Sequence, residues 1–237
     1  MKNKKLIIWI NIALTIAVII GDIIYMNYGK LWLKGTTSFG FVLLGAINLL
    51  FVTVEREINL KYRIMLVIGL FFSMLGDIVL NIHFISGALL FAVGHVFYFI
   101  AHSCLIKLKT ADLIPSGLIF VVSALIIILV PIFDFGSVLM EGVCVFYAFV
   151  ISLMVGKAAA NFLRNKGTLT LALMVGCILF YFSDLMLLFN TFSDVSPVFG
   201  RLCLSTYYPA QCILAVCVGL QSFLPENRNE WKNSRCN

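Results

Sequence analysis

Residues 64–82 read IMLVIGLFFSMLGDIVLNI, nineteen positions that carry a single charge, Asp77. At about 1.5 Å per residue a helix of this length is about 28 Å long, close to the roughly 30 Å hydrocarbon core of a bilayer. Cutting the rest of the chain at its polar and turn-rich breaks leaves seven more stretches of this kind. They run from Leu6 to Met26, Thr37 to Val54, Ser86 to Ile106, Leu113 to Phe133, Val138 to Val155, Thr168 to Phe189 and Val198 to Phe223. The expected fold is therefore all-α: a polytopic membrane bundle of eight transmembrane helices in one domain over residues 1–237, with a short polar tail over 226–237.

Composition excludes the alternatives. Of the 237 residues 62% are hydrophobic and 12% charged, about half the charge that a water-soluble domain needs to cover its surface. Disorder and collagen are excluded by the Phe, Leu, Ile and Val content and by the lack of a glycine period. The net charge of +6 does not point to nucleic acid, because the cations fall in short bursts between apolar runs. Fourteen of the 17 lie on one side of the eight-span cut: Lys2, Lys4, Lys5, Arg56, Lys61, Arg63, Lys107, Lys109, Lys157, Arg164, Lys166, Arg228, Lys232 and Arg235. Lys30, Lys34 and Arg201 lie on the other. The positive-inside rule then places both termini in the cytoplasm. The first run lacks a small-x-small cleavage site and reads as a retained helix. The seven cysteines form no C-x-x-C pair and read as small structural hydrophobes.

Ionisable groups inside such runs need an explanation, since an intramembrane acid ordinarily faces a cavity, a partner or a proton relay. Asp77 lies in Phe72 to Asn81 and Asp184 in the similar segment Phe180 to Asn190. Each is expected five or six residues, about 8 Å, from the non-cytoplasmic end of its helix. Four spans separate them, as a parallel duplication of a four-helix unit would require. Asp22 near the end of the first run carries no assigned role, and Asp134, Glu141 and Asp194 read as solvated. Lys34 is expected to open the second span. His95 and Tyr98 are three apart and Tyr207 and Gln211 four apart, so each pair shares a helical face; Ser73, Asp77 and Asn81 share another. Tyr147 reaches the same level. No metal-ligand cluster, phosphate loop or serine-hydrolase motif is present in the sequence.

The pieces Lys34-Gly35-Thr36-Thr37, Phe72 to Leu80 with Gly76-Asp77, Gly94-His95 with Tyr98, Tyr147 with Met154, Ser183-Asp184, and Tyr207-Tyr208 with Ala210-Gln211 resemble the YhhN family of eight-span membrane proteins. The family usually has proline after the lysine, where this chain has Gly35. The resemblance implies a hydrolase that cleaves the vinyl-ether bond of lysoplasmalogens, releasing a fatty aldehyde and a glycerophospho-ethanolamine or glycerophosphocholine. The partners it implies are that lysophospholipid and membrane lipid, with no metal or organic cofactor, in the plasma membrane of a bacterial cell. Oligomeric state stays open. Vinyl-ether cleavage needs a carboxyl still protonated near neutral pH and a second group that stabilises the oxocarbenium ion and deprotonates water, as in a glycosidase pair. Asp77 and Asp184 are expected to be that pair, sharing a proton. Lys34 and Arg201 would meet the phosphate, and Ser73, Asn81, His95, Tyr98, Tyr147, Asn190, Tyr207 and Gln211 would orient water, carboxyls or headgroup. The reading from a different class is a proton-coupled lipid or small-molecule transporter using the same acids.

Overall fold

Gly29 shows how the first two helices are divided. With φ +63° it takes the left-handed conformation that an L side chain resists, and its N–H closes on Tyr25 O at 2.8 Å, so the chain leaves one helix and begins the next two residues later. The computed structural model describes residues 2–51 and 60–223. Within them eight long helices follow in order: α1 Lys2–Tyr28, α2 Leu31–Phe51, α3 Leu60–Leu80, α4 Phe84–Leu105, α5 Leu113–Leu129, α6 Val138–Arg164, α7 Thr168–Phe192 and α8 Val198–Cys217. Short 3-10 turns cover Thr110–Asp112 and Leu220–Phe223. Arg56, the cations beyond Phe223, Cys236 and the 226–237 tail lie outside the described residues.

The all-helical architecture agrees with the sequence reading, while several boundaries differ: α1 and α3 start four residues earlier than expected and α8 ends at Cys217, six before Phe223, and three further differences have physical reasons. The second span begins six residues earlier than Thr37, so Lys34 lies inside α2 instead of opening it. The fifth ends at Leu129, because Val130 turns extended ahead of Pro131. The sixth runs nine residues past Val155: Gly156-Lys157 looks like a polar break, yet Lys157 is fully buried and its Nζ lies 2.6 Å from Asp112 Oδ2. Arg164 reaches the same oxygen at 3.3 Å and Lys107 O at 2.7 Å, which ties the α4–α5 connection to the end of α6.

Seven of the helices are long and apolar enough to cross a membrane; α8 is long enough but more polar. It packs against α1, α2, α3 and α7. Apolar side chains face outward elsewhere, as on α5, where Ile114, Leu118, Leu125 and Leu129 are half or more exposed. At the cation-rich end Arg63 is buried, its guanidinium donating to Val218 O at 2.9 Å, Asn48 O at 2.6 Å and Leu49 O at 3.0 Å. One cation thus satisfies carbonyls that end two helices, where the helix dipole is negative.

Glycines bring α3 and α4 together. A Cβ on Gly69 would meet the Tyr98 ring at 2.4 Å, on Gly76 the Phe91 ring at 2.8 Å, and on Gly87 the backbone of Leu80 at 2.4 Å; on Gly94 it would lie 3.2 Å from Gly69 O. Gly87 and Gly94 thus let the two helices pack closely. Gly87→Ala should cost about 1–3 kcal/mol by overpacking, read as a lower midpoint of thermal unfolding in detergent; Gly117→Ala, where a Cβ meets nothing within 4 Å, should leave that midpoint within a degree or two.

Candidate active site

α3 delivers Asp77 into a complete set of donors. Lys34 Nζ of α2 lies 2.9 Å from Oδ1; on Oδ2, Ser38 Oγ makes a short hydrogen bond and Tyr208 OH of α8 donates at 3.1 Å. Lys34 and Ser38 are one turn apart on the same face of α2. The Lys34 ammonium also stands over the Tyr25 ring, 5.4 Å from its centroid. Only 4% of the Asp77 side chain is exposed. A carboxyl that meets one cation and two hydroxyls has its acceptor needs met in the ionised form.

α7 places Asp184 in a sparser setting. Tyr147 OH of α6 donates to Oδ2 at 2.6 Å, and His95 Nε2 of α4 lies 2.7 Å from the same phenol oxygen and 3.5 Å from Oδ2. Asp184 is 12% exposed at its side chain, because with Tyr147 it lines an apolar cavity between α3, α4, α5, α6 and α7. The walls near the carboxyl are Ala88, Phe91, Ile127, Cys144, Leu185 and Leu188. Asp77 does not line the cavity.

The two carboxyls were expected to form one pair sharing a proton at a common depth. Among the described residues no hydrogen bond or ion contact joins them; each has its own partners. Asp77 lies three residues before the end of α3 and Asp184 eight before the end of α7, so the helices extend about 4.5 Å and 12 Å beyond them. Phe91, which lines the Asp184 cavity, and the rings of Phe180 and Tyr207 are in mutual edge contact with centroids 5.4–6.1 Å apart. The sets remain neighbours: Cys203 and Tyr207, one turn apart on α8, interact electrostatically with both acids.

The partner sets follow a pattern. Asp77, on the third helix, receives Ser38 from the second and Tyr208 from the eighth; Asp184, on the seventh, receives Tyr147 from the sixth and lies beside His95 of the fourth. In each half, then, the acid meets the preceding helix of its own half and the last helix of the other half, as a duplicated four-helix unit would arrange them.

The remaining sequence candidates divide. Tyr98 OH donates to Gln211 Oε1 at 2.9 Å and lies 3.3 Å from Ser73 Oγ, while Tyr207 OH donates to Ser73 O at 3.4 Å. These four form a buried network behind the carboxyls. Asn81 donates to the backbone of Asp77 at 2.7 Å and not to its carboxyl. Asn190 and Arg201 are exposed near the start of α8, Asn190 against Gly200; neither touches a candidate acid, so Arg201 does not join Lys34. Asp22 is buried, close enough to Asp77 and Lys34 to interact with both, and its Oδ1 has no hydrogen-bond partner. Sequence reasoning missed Ser38 and Tyr208. The signal for Ser38 was its i+4 spacing from Lys34; for Tyr208 it was a second phenol beside Tyr207, on a helix whose polar residues all needed partners.

Residues 41–218, about three-quarters of the chain, match the YhhN family. The chain belongs to the YhhN family. A curated relative, "Lysoplasmalogenase TMEM86A" of Homo sapiens, is 32% identical over 157 residues, which cover 63% of this chain and 62% of the relative. The chain thus aligns with less than two-thirds of that relative's length. No solved structure matches. The YhhN segment contains both carboxyls, His95, Tyr98, Tyr147, Tyr207, Tyr208 and Gln211, whereas Lys34 and Ser38 precede it. The donors that complete the Asp77 set therefore come in part from a helix that the matched YhhN segment only enters at Phe41.

Proposed function

We propose that this YhhN protein hydrolyses the vinyl-ether bond of lysoplasmalogens in a cell membrane, with Asp184 as the proton donor. The observation that carries the reading is that Asp184, held by Tyr147, opens onto an apolar cavity suited to a single hydrocarbon chain, while Asp77 has its acceptors filled by Lys34, Ser38 and Tyr208. The human relative's name adds the substrate class.

In this reading the Asp184 carboxyl transfers its proton to the β-carbon of the vinyl ether, and the electron pair of the C=C bond forms the new C–H bond. The oxocarbenium ion that results is paired with the Asp184 carboxylate. Water adds to the cationic carbon and gives its proton back to Asp184. The hemiacetal then loses its glycerol oxygen as the alcohol and leaves the aldehyde. Tyr147 and His95 hold the carboxyl and the water in line. The buried Asp77–Lys34 pair acts from the neighbouring set, its carboxylate opposing the positive charge that develops and its ammonium the negative phosphate.

Conversion of the vinyl ether to an aldehyde adds one solvent hydrogen to the carbon next to the carbonyl, and an alkyl ether or an ester has no such route. In D2O, detergent-solubilised protein given a 1-alkenyl lysophospholipid should release aldehyde carrying one deuterium at the carbon next to the carbonyl, while 1-alkyl and 1-acyl lysophospholipids should be left intact. No aldehyde from the alkenyl lipid, or cleavage of the acyl or alkyl lipid instead, would remove the proposed chemistry. Release without a membrane gradient separates an enzyme from a transporter.

A further inference from the structure

The walls of the Asp184 cavity are unequal. α4 is fixed to α3 through the glycine contacts above, and α6 packs against α4, α5 and α7. The cation-poor end is covered by the α5–α6 connection, where Phe135 packs on Phe192, Phe133 on Phe189, and Asp134 N donates to Phe192 O at 2.8 Å. The remaining wall is different. α5 packs principally against α6 and faces α7 across the cavity, with Ser123 and Ile127 on one side and Tyr181, Asp184 and Leu185 on the other. Ser123 Oγ and Tyr181 OH, 2.7 Å apart, bridge this gap.

The bridge is built to open at small cost. Ser123 Oγ also donates to Ile119 O of its own helix at 2.8 Å, so its hydroxyl hydrogen stays satisfied whether or not Tyr181 is in reach. Separation of α5 from α7 therefore forfeits one neutral hydrogen bond, that between Ser123 Oγ and Tyr181 OH. Tyr181 is one turn from Asp184 on α7, so a chain that passes between the two hydroxyls arrives beside the carboxyl. The outer face of α5 is almost wholly apolar, as the surface a lipid slides along must be.

We propose that the α5–α7 wall is the door by which a single-chain lipid passes sideways from the bilayer into the Asp184 cavity, with the Ser123–Tyr181 hydrogen bond as its latch. The proposal rests on the reading that this cavity holds the substrate's hydrocarbon chain. Two measurements test it. In phosphatidylcholine vesicles, a saturated 1-alkyl lysophospholipid with a diazirine in mid-chain cannot be hydrolysed and should label Ser123, Ile127 and Leu185 in a manner displaced by excess unlabelled 1-alkyl lysophospholipid. Displaceable labelling confined to α1, α2 or α3 overturns the door. In turnover, Tyr181→Phe and Ser123→Ala each remove the latch, and each should raise the ratio of kcat/KM for a sixteen-carbon alkenyl lipid to that for a water-soluble four-carbon analogue about fivefold, the factor that one neutral hydrogen bond is worth. An unmoved ratio overturns the latch. If the wild-type protein releases no aldehyde at all, the hydrolase reading fails and the labelling pattern alone decides the door.

Discussion

Asp184→Asn should lower aldehyde release by about 10²–10⁴-fold, the range that a positioned general acid contributes, while thermal unfolding in detergent stays near that of the wild type. The separation of the two effects follows from the geometry. Asparagine keeps an oxygen to accept from Tyr147 OH and fills the same space, and the site carries no full countercharge that its arrival would strand. What is lost is the proton that the vinyl ether needs. Wild-type-like turnover by this variant would falsify the assignment of Asp184 as donor. Tyr147→Phe provides the graded comparison: it removes the 2.6 Å donor to Asp184 and the partner of His95 at once, and should reduce turnover without abolishing it.

Asp77→Asn should behave differently, with stability falling first. Lys34 is 7% exposed at its side chain and pairs with Asp77 at 2.9 Å; without that partner a buried ammonium is left uncompensated, at a cost of about 3–5 kcal/mol. The double variant Asp77→Asn with Lys34→Met removes both charges and should recover most of the loss, since exchanging a whole buried pair for groups of similar volume is often close to neutral. The cycle is read by thermal unfolding of the four proteins, and additive losses would mean that the pair contributes nothing through their mutual interaction. Activity sharpens the result. If the double variant regains stability but not turnover, the charges of the Asp77 set act on the reaction; if it regains both, they serve the fold.

Much of this arrangement was legible in the sequence, and the parts that were not share a cause. Apolar runs and alternating cations give the helices, and two acids inside such runs mark α3 and α7 as the helices of interest. Lys157 misled the boundary of α6 because a lysine after glycine looks like a loop, whereas its countercharge, Asp112, lies on another segment 45 positions away. Ser38 and Tyr208 were passed over for a similar reason. Serine in a membrane helix ordinarily bonds its own backbone, as Ser152 does at 2.6 Å from Ala148 O, so composition gave no hint that Ser38 bonds a carboxyl across the bundle. The separation of the acids was hidden as well. Depth along a helix can be counted from sequence, but the helices that supply each carboxyl's partners cannot: those of Asp77 come from α2 and α8, and those of Asp184 from α6 and α4.

The polarity of α8 also bears on how the protein is made. With Arg201, Ser205, Thr206, Tyr207, Tyr208, Pro209 and Gln211 within twenty residues, this segment gains little by dissolving in lipid alone. Its Tyr208 and Tyr207 hydroxyls donate to Asp77 and Ser73, and its Gln211 Oε1 accepts from Tyr98, groups that exist as partners only after earlier helices have gathered. Insertion of α8 is thus coupled to assembly: the last rod to leave the ribosome among those described is accepted by a cleft of protein instead of by the bilayer, and the Asp77 donor set is completed in that final step.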